Sequence, residues 1–272
     1  MDDNPFFAHV ARAVEQTALS LGYSVQVSYS ILDPESREPK PRNKMLGAIV
    51  LGRFENADVV RLLESQYRHL VYVGRNPVSA SWDQIICDGY EATVIAISYL
   101  HTCGHKRIAY IGETENEIRY KAYKDQIQTL GLHDDPTLTA VCNQNTAEGG
   151  YKGAGILLEK ASSMPTAVFC ASDISAIAAM RRFREAGIKL PSQLSVIGMD
   201  NIELSGYVSP MLTTVGMPTV EMGSCAAQTL INRINKMHRL PSKLYIPNKL
   251  AIRESVASLN GAVGDGWHGM YI

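Results

Sequence analysis

Short apolar runs alternate with amphipathic segments along most of this chain. An apolar run of this length, flanked by polar turns, is typical of a strand buried in a parallel sheet, and the segments between the runs have helical periodicity. The pattern predicts an α/β fold with two similar doubly wound parallel-sheet subdomains and a ligand cleft between them. The predicted strands are Leu46–Leu51, His69–Gly74, Gln84–Cys87, Arg107–Gly112, Thr137–Cys142, Ala167–Cys170, Leu194–Gly198, Leu212–Val215 and Leu244–Arg253.

The first and last parts of the chain depart from this regular pattern. A helix follows MDDNPFF, with Val10, Val14, Thr17, Ala18 and Leu21 on one face, and Gly22 ends it. Alternation over Tyr23–Tyr29 predicts a strand, and the prolines and charges of residues 30–44 predict a loop. Residues 258–272 are rich in glycine and are predicted to form a flexible tail.

The most informative stretch is the strand–helix–strand unit of residues 166–201. Ser172 and Asp173 follow the first strand and are of the type that caps a helix, and Asp200 and Asn201 follow the second. Because parallel strands end at the same edge of a sheet, both polar pairs are expected at the edge where open α/β sheets bind ligands.

The helix inside this unit has two apolar faces. Ala176, Ala179, Met180 and Phe183 form the face expected to pack on the sheet, and Ile174, Ile177 and Ala178 form a second stripe. The second stripe needs a partner of its own, which is either a neighbouring loop or another subunit.

Composition excludes several functional classes. The chain has 272 residues, 46% of them hydrophobic, with 26 basic and 27 acidic residues, so it lacks the basic excess of a nucleic-acid-binding module. Its cysteines at 87, 103, 142, 170 and 225 are too scattered for a zinc ribbon or a disulfide framework and suit a reducing, cytoplasmic location. No secretory signal or membrane-spanning stretch is recognised.

Neither catalysis nor a cofactor is indicated by the motifs. The sequence has no G-x-G-x-x-G after a strand, no P-loop and no G-x-S-x-G elbow. His101 and His105 are four residues apart, but Cys103-Gly104 between them marks a helix end, so a structural role is favoured over metal binding. We therefore predict no catalytic residues, no metal and no cofactor.

Several blocks in a fixed order carry a family resemblance. They read NPFF, then CDGYEA, YLHTCGHKRIAYIG and RYKAY, and finally VFCASDISAIAAMRRFREAGIKLPSQLSVIGMDN. This order resembles the LacI/GalR family of bacterial repressors to about residue 256. MLGAIVLGRF, ASD and YIPNKLAIRES are most similar to the branch of the galactose-operon and evolved β-galactosidase repressors.

The resemblance implies a periplasmic-binding-protein-like fold, a homodimer and a small sugar effector, galactose or a related galactoside. It places three crossings between subdomains near residues 103, 217 and 245. The subdomains would then be 1–102 with 218–244, and 103–217 with 245–257. Family members begin with a helix-turn-helix that contacts operator DNA, and no such segment is found in this sequence.

The resemblance also implies effector-binding residues. Arg119 matches the family arginine, with Ala122 in place of the usual glycine, and Asp200 matches the ligand-binding aspartate. Ser172, Asp173, Asn201, Phe169, Asp88, Phe6 and Phe7 are the other candidates. Ser172 and Asp88 are equally explained as helix caps, and the two phenylalanines as a hydrophobic staple. For the dimer, the resemblance selects Ile174, Ile177, Leu204 and Tyr207.

Two functions follow from these observations. The first is the ligand-sensing core of a sugar-responsive transcriptional repressor. The second is a free-standing sugar-binding protein of a transport system, which a secretory signal and a monomeric state would favour. An enzyme on the same fold is a third class, because fold alone does not fix function.

Overall fold

The computed structural model describes residues 5–28, 45–52, 57–74, 81–142 and 145–260. Within them the chain divides into two compact units. The larger unit comprises Gly89–Met217 and the described part of Asn248–Ile272, and the smaller unit comprises Pro5–Asp88 and Pro218–Pro247. The predicted loop at 30–44 and the tail from residue 261 lie outside the described residues.

The smaller unit is a four-stranded parallel sheet with three helices. Its strands are β1 (Ala48–Leu51), β2 (Leu70–Val73), β3 (Asp83–Ile86) and β9 (Lys243–Tyr245), in the order β1-β2-β3-β9. Its helices are α1 (Pro5–Ser20), α2 (Ala57–Gln66) and α7 (Thr219–Ile234), and α1 packs on α7. Gly223 allows this close approach, because a Cβ there would lie 2.5 Å from the carbonyl oxygen of Val10.

The larger unit is a six-stranded sheet with four helices. Its strands are β4 (Ile108–Gly112), β5 (Thr139–Val141), β6 (Ala167–Cys170), β7 (Ser195–Asp200), β8 (Thr213–Gly216) and β10 (Lys249–Ala251), in the order β10-β8-β7-β6-β4-β5. All neighbours pair in parallel except β10 with β8. The helices are α3 (Gly89–Thr102), α4 (Ile118–Thr129), α5 (Ala147–Lys160) and α6 (Asp173–Glu185). The predicted fold class, with two parallel-sheet units, is confirmed.

The unit boundaries differ from the prediction at the first crossing. The chain enters the larger unit at Gly89 rather than near residue 103. The reason is the packing of α3, whose residues Ala96, Ile97 and Leu100 are buried with Ile108 and Phe169 in one core cluster.

Two predicted strands are wrong. Residues Tyr23–Ser28 form no strand. An alternating segment becomes a strand only when it pairs with another strand, and β1, at this end of the sheet, pairs only with β2 among the described residues. The single strand predicted over 244–253 is two strands, β9 and β10, one in each unit. The chain changes unit at Asn248 between them.

A C-terminal strap, residues 252–260, completes the larger unit at the opposite end of its sheet from the polar turns. Val196 N–H donates to the carbonyl of Ser255 at 2.8 Å, and the Thr213 N–H donates to the Ser255 hydroxyl at 2.8 Å. The buried ring of His105 contacts the Ala257 carbonyl through Nε2 at 3.0 Å. Leu259 N–H then donates to the Cys103 carbonyl at 2.7 Å.

Candidate functional site

Three neighbouring strands of the larger sheet bring the candidate site together. In the order β7-β6-β4, Asp200 is the last residue of β7, Ala171 follows β6, and the loop after β4 leads to Arg119 in the first turn of α4. The carboxyl ends of parallel strands are where open α/β sheets bind ligands, so this edge has the expected location of a binding site.

Arg119 is held in place by protein groups. Its Nε and one terminal nitrogen donate to the two carboxylate oxygens of Glu117, each at 2.8 Å, and the other terminal nitrogen donates to the Ala171 carbonyl at 2.8 Å. Burial alone would lower the pKa of Arg119, but the hydrogen-bonded charge of Glu117, with Asp200, raises it. The guanidinium is therefore permanently charged.

The guanidinium still has donors to offer. Of its five N–H groups, the described residues take three, leaving one hydrogen on each terminal nitrogen. A planar pair of donors of this kind matches two adjacent oxygen acceptors.

Asp200 presents an open carboxylate beside this arginine. The residue is half-buried with a φ of 110°, and Asn201 follows with a φ of 51°. No described residue donates a hydrogen bond to the Asp200 carboxylate. Burial raises its pKa to about 7, against the opposing effect of the Arg119 charge. Near neutral pH, Asp200 can thus accept hydrogen bonds or, when protonated, donate one.

Asn201 is fixed from two sides. Its N–H donates to the Thr214 hydroxyl at 3.3 Å, and its side-chain oxygen accepts from the Arg253 guanidinium at 2.6 Å. The turn that carries Asp200 is therefore braced by β8 and by the segment after β10.

Asp173 is placed in the core, which corrects its prediction as an effector contact. It is fully buried, one carboxylate oxygen accepts from the Thr214 hydroxyl at 2.6 Å, and the other accepts from the Ile202 N–H at 2.9 Å. Burial, and then the charge of Asp200, raises its pKa to about 8, partly offset by these hydrogen bonds and by Arg253. Asp173 ties the start of α6 to the turn after β7 and so positions Asp200.

Phe169 is also core rather than site. Its side chain is fully buried in the middle of β6 and packs on Tyr110 with ring centroids 5.9 Å apart. The error arose because residues of a central parallel strand face helices on both sides, and only the residues beyond its end reach the edge.

Ser172 caps α6, as one of its two interpretations predicted. Its oxygen accepts from the Ser175 N–H at 3.2 Å, and its hydroxyl donates to the Asn145 carbonyl at 2.9 Å. The residue is buried and its hydroxyl hydrogen is already donated, so Ser172 can contribute to effector binding only as a hydrogen-bond acceptor.

The remaining effector candidates lie in the smaller unit. Phe6 and Phe7 are half-buried on α1, and their rings meet edge to face with centroids 5.2 Å apart. Asp88 is half-buried and follows β3. Their involvement in effector binding stays a prediction.

Sequence reasoning missed Glu117. A local signal was present, because Glu117 lies immediately before α4 and is of a type that can cap a helix, and its carboxylate does accept from the Arg119 N–H at 2.9 Å. Its second role, holding the Arg119 side chain, depends on the exact start of α4 and could not be read from spacing.

The second apolar stripe on α6 remains partly uncovered. Ile174 and Ile177 are half-buried, while Leu204 and Tyr207 in the turn after β7 are 47% and 77% exposed. Ile177 also packs on the core cluster between α6 and its sheet, so part of its surface is already used.

Across the described part of the chain, no cluster of three or more His, Cys, Asp or Glu side chains is arranged to hold a metal ion. Within the same residues, every helix is too short or too polar to cross a membrane.

Comparison with known proteins gives a consistent result. A family profile described as "Periplasmic binding protein-like domain" matches residues 97–256. The HTH-type transcriptional regulator DegA of Bacillus subtilis is 30% identical over 269 residues, which cover 94% of this chain and 79% of DegA.

Two solved structures extend the comparison. A LacI family transcriptional regulator from Enterococcus faecium with bound ribose has a TM-score of 0.84 and 25% identity, covering 95% of this chain and 97% of the other. The transcriptional regulator CelR in complex with cellobiose has a TM-score of 0.80 and 25% identity, covering 93% of this chain and 79% of CelR.

Proposed function

Because this chain belongs to the LacI family of transcriptional regulators and carries their periplasmic-binding-protein-like domain, we propose that it senses a small sugar and thereby controls a repressor's hold on operator DNA. The relatives are regulators rather than enzymes. Operator contact would come from a helix-turn-helix segment, in keeping with the HTH-type name of DegA.

The observation that carries this proposal is that Arg119 and Asp200 lie at the same edge of one sheet. Arg119 offers two fixed N–H donors, and Asp200 offers a carboxylate that no described residue occupies. Adjacent hydroxyls of a sugar can accept from the first and donate to the second. Charge-assisted hydrogen bonds of this kind are the strong ones in recognition.

The identity of the sugar is a narrower proposal. The Enterococcus faecium regulator holds ribose and CelR holds cellobiose, so galactose has no special support from these relatives and becomes one candidate among several. Isothermal titration calorimetry with ribose, cellobiose, galactose and lactose tests the proposal. Absence of binding by every mono- and disaccharide in an extended panel would overturn it.

Replacing Arg119 by alanine should weaken sugar binding. The variant loses charge-assisted hydrogen bonds, which are worth about 1.5–3 kcal/mol each, or roughly 10- to 150-fold in affinity. Calorimetry with the best sugar from the screen measures the loss.

Two further variants separate binding from folding. Asp200→Asn should also weaken binding while keeping the side-chain shape, and Arg61→Ala removes an exposed arginine of the smaller unit and should change nothing. Unchanged affinity in both Arg119→Ala and Asp200→Asn would refute this site assignment.

We further propose that Ile174 and Ile177 of the second stripe, together with Leu204 and Tyr207, form a two-fold dimer contact. In a two-fold contact the same apolar patch is buried on both subunits. One substitution therefore buries an unpaired charge on each subunit, and the dimer loses stability twice over. Leu204→Arg should therefore give monomers in analytical ultracentrifugation, and Ile177→Arg should do the same with some loss of stability from its inner contacts.

The control for the dimer experiment is Val141→Arg. Val141 is 53% exposed on the edge strand β5, so Val141→Arg also replaces an exposed apolar residue by arginine, but outside the proposed contact. If Leu204→Arg and Ile177→Arg both sediment as the parent protein does, the interface lies elsewhere.

A further inference from the structure

We propose that this site selects uncharged sugars and rejects their phosphorylated and carboxylate counterparts, and that Glu117 is the residue responsible. This inference rests on the proposed function, since it names the chemical class of the ligand within the same site. A sugar and its phosphate share all but one of their hydroxyl groups and differ in charge, so charge is the property that we examine in this site.

The first argument is that Arg119, whose charge acts on Asp200, is already neutralised by Glu117. Both oxygens of Glu117 pair with Arg119, and the Glu117 side chain is 7% exposed, so water screens the pair weakly. The two N–H groups that remain on Arg119 can donate to a hydroxyl, but the net charge of the pair is zero.

The second argument concerns the helix N-termini at this sheet edge. The first backbone N–H groups of a helix are a ready-made binding site for phosphate. Three of the helices that start at this edge use a side chain of their own: Glu117 caps α4, Thr146 caps α5 and Ser172 caps α6. The fourth, α3, starts at Gly89 beside Arg119. Some of the backbone N–H groups that could bind a phosphate therefore already donate to these side chains.

The remaining charges also disfavour an anion. Asp200 lies at this edge, and its carboxylate, when ionised, repels a phosphate. Arg253 is the nearby counter-charge, but its described contacts direct it to Ser205, Leu212 and Asn201. Among the described residues, both guanidinium groups at this edge therefore already donate to protein oxygens.

The test needs no variant. Calorimetry compares ribose with ribose 5-phosphate, galactose with galactose 6-phosphate, and galactose with galacturonate. For every pair in which binding is detected, the uncharged member should bind at least tenfold more tightly. Equal or tighter binding of the charged member would overturn the inference while leaving a sugar-sensing function intact. If neither member of any pair binds, the same comparison uses the best sugar of the extended panel and its phosphate, and a panel without any binder overturns both.

The assignment to Glu117 is tested by Glu117→Gln. The amide keeps an oxygen that can cap α4 but removes the charge, so the preference for the neutral sugar should shrink by at least tenfold. Glu115→Gln is the matched control, because Glu115 is exposed two residues earlier in the same loop, and the preference should not change. A Glu117→Gln protein that melts like the parent and keeps the full preference would refute the role of Glu117.

Discussion

Replacing Gly150 by alanine is expected to lower the free energy of unfolding by about 3 kcal/mol. A Cβ at this position would lie 2.1 Å from the carbonyl oxygen of Ser175 and 2.6 Å from its carbonyl carbon. Both atoms are backbone of α6, so no side-chain rotation relieves the overlap, and α5 and α6 must move apart. Urea unfolding followed by circular dichroism measures the change.

The same substitution elsewhere in α5 should have the opposite sign. A Cβ at Gly155 would lie 3.8 Å from Nε of Arg182, an ordinary contact. Because alanine is favoured over glycine in a helix interior by about 0.5–1 kcal/mol, Gly155→Ala should stabilise the protein. A Gly150→Ala variant as stable as Gly155→Ala would show that the α5–α6 contact is not as close as described.

Replacing Asp173 by alanine should cost about 2–5 kcal/mol of stability, because the Thr214 hydroxyl and the Ile202 N–H would be buried without their partner. Asp173→Asn should cost much less. Its amide oxygen can accept from Ile202, and its NH₂ can donate to the Thr214 oxygen, as a protonated carboxyl would. Equal destabilisation by alanine and asparagine would contradict this account.

The asparagine variant should also change the dependence of stability on pH. The pKa of Asp173 rises from an ordinary 3.8 to about 8 on folding, so the folded protein binds the proton more tightly than the unfolded chain. Its contribution to stability is then fully present below pH 4 and is lost as the pH rises through about 8. Asparagine does not titrate, and the decline between these values should be shallower in Asp173→Asn.

Thermal unfolding across this pH range provides the measurement. Asp200, with its pKa raised to about 7, adds a decline of the same sign, so the slope should diminish in Asp173→Asn rather than vanish. A slope identical to that of the parent protein would show that Asp173 is ionised in the folded state across the range.

Local signals predicted most of the regular structure. The strand at Ala167–Cys170 and the cap at Ser172 each depend on neighbours within a few residues, and the structure has both. The fold class also followed, because alternation of strands and helices along the chain restricts the sheet to parallel pairing.

Predictions that required knowledge of distant partners were less accurate. The segment 244–253 has a continuous strand pattern, yet its two halves pair with β3 and β8 in different units. Leu21 was expected on the inward face of the first helix, but it is 41% exposed. Periodicity shows which face of a helix is apolar, but it does not show how much of that face the rest of the protein covers.

The candidate site shows the same division. Arg119 and Asp200 were predicted because each matches a ligand-binding residue of the family that the sequence resembles. Asp173, next to Ser172, has an equally suggestive position, and only the hydrogen bonds from Thr214 and Ile202 reveal that it faces the core.

The C-terminal strap has a consequence for how the protein is made. A ribosome releases residues 89–217, which contain five of the six strands of the larger sheet, before it synthesises the segment that supplies β10 and the partners of Val196, Thr213 and His105. Until then β8 has an open edge, and unpaired edges invite association with other chains. The larger unit is therefore completed only after β10 and the strap have been translated, and a chain that ends before residue 249 keeps an exposed strand edge that chaperones and proteases can bind.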